Sequence, residues 1–214
     1  MKIGIVACDI LKNEIEALTA GDDDIVHREY LEFALHVYPA EMREKVIETV
    51  NNLEGKVDAV LIGYATCQSL DSLDKVVKVP SVMLEGDDCI GVLMGTRSYE
   101  EAKVDCIGTW FSSPGWAEQG IEAVIKELHL DSLIDEGYSS EYFLDIIFDA
   151  YTRCLFIDTG VGDKDELLEK SLDFAEQLNL RHECTVGTLE NLKTALHRVK
   201  QLAKAVAANE YPNS

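Results

Sequence analysis

The chain has 214 residues, 47% of them apolar, and sets 40 acidic side chains against 19 basic ones for a formal net charge of −21. Such a length supports one well-buried α/β core and is short for two independent domains. The negative surface repels phosphate backbones and anionic headgroups, which excludes nucleic acid and membrane as partners, and no run approaches the roughly 20 apolar residues that span a bilayer.

The N-terminus opens directly on MKIGIVAC, without a charged leader and apolar h-region, so a cytoplasmic location is expected. Lys2 to Ala7 predicts a first strand, and Ile10 to Leu18 keeps a 3.6-residue apolar rhythm that predicts a helix. A second strand is expected at Asp24 to Arg28. Pro39 followed by acids in PAEMREKVIETVNNL opens a clear helix that stops before Gly55.

Asp58 to Tyr64 predicts a buried strand, with a short helical segment beginning near Cys67. Val79 to Leu84 predicts another strand, after which Asp87 or Asp88 caps a helix carrying Cys89. A short helix at Ser98 to Ala102 and a strand at Val104 to Phe111 follow. SSPGW (Ser112 to Trp116) reads as a turn, and Ala117 to Leu128 and Ser140 to Ala150 as helices. The last third repeats the pattern. Strand Arg153 to Asp158, helix Lys164 to Leu178, strand Arg181 to Val186 and helix Leu189 to Ala207 precede a polar, frayed tail.

Strands alternating with helices predict a single α/β domain over residues 1–207, with a mainly parallel, doubly wound sheet and helices on both faces. In such a sheet ligands bind in the crevice at the carboxyl ends of the strands. Cys8, Cys67 and Cys89 each follow a predicted strand closely, so all three thiols are delivered toward that edge. A thiol cluster is either a soft-metal site or a set of nucleophiles. Zinc with three protein ligands and one open position fits three cysteines, or two with His36, which precedes the Pro39 helix; an iron–sulfur cluster is the alternative.

The other candidates carry less. Cys106 and Cys154 lie in apolar, strand-like runs and read as small buried hydrophobes, while Cys184 is left undecided. Asp158, at a strand end before a glycine-rich turn, suits acid–base work or ligand orientation, and suits a plain turn equally well. Arg97 is a candidate carboxylate anchor, though a surface helix cap or salt bridge is the first expectation, and Trp116 a candidate wall for a flat ligand, though a tryptophan in a turn more often covers the core. No GxGxxG follows the first strand, which disfavours a dinucleotide fold.

Several segments together resemble one family across most of the chain. They are Ala7–Cys8, LHVYPAEMRE from Leu35, LIGYATC from Leu61, DDCIGVLMGTRSYEE from Asp87, GTWFSSPGW from Gly108 and LFIDTG from Leu155. The resemblance is to the domain of unknown function 1638 family, found mainly in methanogenic archaea and anaerobic bacteria. It implies Cys8, His36, Cys67, Asp88 and Cys89 as the residues to test, and an association with corrinoid-dependent methyl transfer. The chain departs from the family pattern at Ala65 and Gln68, where glycines are usual, and at Asp87, where a histidine often stands.

Three functions are therefore expected in order. The first is a thiolate metal-binding protein of corrinoid-linked methyl metabolism, with Asp88 or Asp158 in support and a corrinoid or small-molecule methyl carrier as partner. The second is a non-catalytic accessory protein that docks a corrinoid protein or a methyltransferase. The third is metal-free cysteine catalysis, such as racemisation or acyl transfer.

Overall fold

The structure, a computed structural model, describes residues 1–32, 38–66, 70–127, 130 and 139–208. The strands are all parallel, as alternation with helices requires, but they form two sheets where one was expected. The chain correspondingly divides into two compact units, Met1–Val92 with Leu189–Ser214, and Leu93–Thr188.

In the first unit, β1 (Ile3–Cys8) runs through a 3-10 turn (Asp9–Leu11) into α1 (Lys12–Leu18). Then come β2 (Ile25–Leu31), α2 (Pro39–Asn51), β3 (Ala59–Gly63), β4 (Ser81–Met83) and the start of α3 (Cys89–Met94). The sheet order is β2-β1-β3-β4. Alternation along the strands separates two faces. Val6, Val60 and Ile62 pack with Met42, Val46 and Val50 of α2. The opposite face carries Ile3, Ile5 and Leu61, all fully buried. On that side Ile15 of α1 lies against Gly63.

At Gly63 two strands approach closely. A Cβ there would stand 2.3 Å from the Cβ of Ala7 and 3.0 Å from its Cα. Only glycine lets β1 and β3 close together at their carboxyl ends.

In the second unit, α4 (Thr96–Asp105) leads to β5 (Thr109–Ser112), α5 (Pro114–Glu127) and α6 (Ser140–Phe148). β6 (Arg153–Asp158), α7 (Lys164–Gln177) and β7 (Arg181–Val186) complete it, in sheet order β5-β6-β7. The final helix, α8 (Glu190–Ala207), belongs to the first unit and packs on β3 and β4. Among the described residues no helix is long and apolar enough to cross a membrane.

Two local expectations are corrected. The strand expected over Val104 to Phe111 is shorter, because α4 continues to Asp105 and leaves Val104 and Ile107 80% and 94% exposed. Gly108 sits so close to the next chain segment that its Cβ would lie 2.3 Å from the Ala150 carbonyl oxygen, and pairing starts only beyond it. A short apolar run such as VDCI does not by itself separate strand from helix end. SSPGW is a helix start, not a turn. Ser113 Oγ accepts the Trp116 N–H at 3.4 Å, and Pro114 takes the first helical position, where its missing N–H costs nothing.

Candidate functional site

The order β2-β1-β3-β4 has its switch point between β1 and β3, where the chain leaves neighbouring strands in opposite directions. The crevice at the carboxyl ends there is the usual ligand position of this topology. Cys8 is the last residue of β1 and pairs in register with Leu31 of β2. Ala7 pairs with Gly63, so Tyr64 comes next to Cys8 on the other side. By alternation Cys8 shares the face of Val6, and it packs, half-buried, against the cluster that holds Leu31, Met42 and Tyr64.

Beyond the strands, the two following loops are stitched together. Leu84 N–H donates to the Tyr64 carbonyl at 3.3 Å. The Thr66 N–H and hydroxyl both donate to the Gly86 carbonyl, at 3.2 and 2.8 Å. The segment leading into Cys67 is thus fixed beside the segment leading into Cys89. Cys89 opens α3, and Asp88 caps it by accepting the Gly91 N–H at 2.8 Å on Oδ1. Asp88 is therefore the cap, and it sets the direction in which Cys89 leaves the loop.

Cys67 and His36 lie outside the described residues. Among the described residues, no three His, Cys, Asp or Glu side chains form a metal-binding group.

The remaining candidates belong to the second unit, each already engaged. Arg97 is 91% exposed and pairs with Glu101 one turn on, at 2.8 Å. Trp116 packs edge-on against Trp110, ring centroids 5.2 Å apart, in an aromatic core that includes Phe148 and Phe174. Asp158 accepts the Gly160 N–H at 2.9 Å and meets Lys164 Nζ at 2.6 Å. The lysine, followed by that N–H, holds its carboxyl below the usual carboxylate range. A carboxylate so held favours the turn over proton transfer.

Cysteines of this unit divide. Cys154 is fully buried, and burial pushes its thiol up to about 11, as expected of a small hydrophobe. Cys106 departs from that reading. It ends α4 half-buried, with Sγ 3.4 Å from Thr152 Oγ1, and hydrogen bonds from Thr152 and Thr109 lower its pKa. Cys184 is exposed on β7, in the three-stranded sheet.

His182 gives a pH prediction for this unit. Its Nε2 lies 3.1 Å from Ser171 Oγ, and burial holds its pKa below the ordinary value. The unfolded chain then binds the proton first as pH falls through about 6.5, so stability is present above that value and declines below it until the folded pKa is passed. Thermal melts between about pH 7.5 and 5.5 are expected to show a steeper fall in Tm for the native chain than for His182→Gln. Equal slopes would remove His182 from the acid response.

Family membership follows independently of this geometry. The chain belongs to the family described as "Protein of unknown function (DUF1638)", whose profile matches residues 30–196 and so covers the segments around three of the four candidate ligands. No curated protein and no solved structure matches the chain.

Proposed function

We propose that the carboxyl edge of the four-stranded sheet is a thiolate metal centre, held by Cys8, Cys67 and Cys89 with His36, that serves corrinoid-linked methyl or one-carbon metabolism. The observation that carries the metal reading is the strand order. It sets the end of β1, with Cys8, beside the end of β3, while Thr66 and Gly86 tie the loop before Cys67 to the loop before Cys89.

Three thiols and an imidazole form a soft, borderline donor set of the kind zinc takes. The first unit contains three cysteines in sequence, one fewer than the four thiolates common to iron–sulfur clusters, so zinc is the better match. What zinc would supply when bound by these four ligands is stabilisation of the protein's own thiolates at neutral pH. In this reading Cys8, Cys67, Cys89 and His36 hold the ion. Asp88 fixes the first turn of α3 and with it the approach of Cys89. Asp158, Arg97 and Trp116 carry no step. A corrinoid or small-molecule methyl carrier is the partner of this chemistry, and the reducing cytoplasm is the compartment that keeps such thiols usable.

The test is elemental analysis and an ultraviolet–visible spectrum of protein purified without oxygen. About one zinc per chain without visible bands is expected. Structural zinc sites bind with about 10–16 kcal/mol over four ligands, so each lost ligand costs roughly 3 kcal/mol, or about a hundredfold in affinity. Cys8→Ser, Cys67→Ser and Cys89→Ser should each show that loss, while Cys106→Ser and Cys184→Ser retain the metal. Iron with broad visible absorption would shift the reading to a cluster. A metal-free native chain that alkylates at a single edge thiol would instead support cysteine catalysis.

A second reading, an accessory protein that delivers or senses the metal for a methyltransferase, is favoured by the net charge of −21. Such a surface suits a basic partner, and capture should weaken as salt rises.

A further inference from the structure

We draw no further inference here: the strongest candidate, the half-buried Cys106 thiol at the end of α4 beside the Thr152 and Thr109 hydroxyls, is a lone cysteine hydrogen-bonded within its own unit, and among the described residues no second group beside it points to a ligand.

Discussion

Replacing Gly63 by valine is expected to destabilise the four-stranded unit by about 4 kcal/mol or more, enough to unfold a domain of ordinary stability. Overpacking a filled core usually costs about 1–3 kcal/mol because side chains can shift. Here the first atom added would stand 2.3 Å from the Ala7 Cβ and 3.0 Å from its Cα, which is backbone and cannot turn away. The Ile15 side chain lies a further 3.4 Å from the same point. Relief requires β1 to part from β3 at the end where Cys8 sits. In the proposed metal reading, Gly63→Ala should therefore lose zinc affinity as well as stability, and urea denaturation with metal titration on the same sample checks both. An alanine variant as stable as the native chain would show that the seam is looser than these distances.

The second large effect is expected in the three-stranded unit, at Arg153. Its guanidinium is 4% exposed, with Nε donating to Thr109 Oγ1 at 2.9 Å and Nη2 to the Ala102 carbonyl at 2.8 Å. Nη1 meets Asp105 at 2.7 Å and Glu183 at 3.2 Å. One side chain thus fastens the end of α4, the start of β5 and the edge strand β7 to the first residue of β6. Arg153→Ala should cost about 3 kcal/mol, chiefly from its two charge-assisted hydrogen bonds to Thr109 and Ala102 at about 1.5–3 kcal/mol each, since Asp105 and Glu183, 71% and 38% exposed, stay solvated. Arg153→Lys should recover only part, because an ammonium cannot reproduce the planar fork. Full recovery in the lysine variant would mean that net charge, and not directed hydrogen bonding, does the fastening.

Where the sequence reading succeeded, local signals and burial agreed. β6 and β7 have the expected bounds, and α2 starts at Pro39 as its proline and acids indicated. Cys8 and Cys89 stand at the carboxyl edge because strand-then-helix alternation fixes which end of a strand meets the next loop. The division into two sheets was not legible, since no hydrophobic pattern states which strand a given strand will pair with. Trp116 covers an aromatic core, as a tryptophan near a turn more often does, but its stretch is a helix start, which a serine, a proline and a glycine in a row do not announce. Cys106 was assigned to the core by its apolar neighbours, yet those neighbours, Val104 and Ile107, are themselves exposed.

The four-stranded unit is discontinuous in the chain, with α8 arriving from beyond the whole of Leu93–Thr188 to cover β3 and β4. During synthesis the strands bearing the thiols emerge first, and their covering helix follows only after that inserted stretch, on the order of 5 to 20 seconds later at typical translation rates. The inserted unit, contiguous from end to end, completes its last strand only just before that helix begins. The nascent thiols thus spend the interval beside an incomplete sheet, accessible to metal or oxidant before the last helix arrives. For the metal centre proposed above, loading in the cell would then depend on which of the two reaches the thiols while the ribosome is still at work.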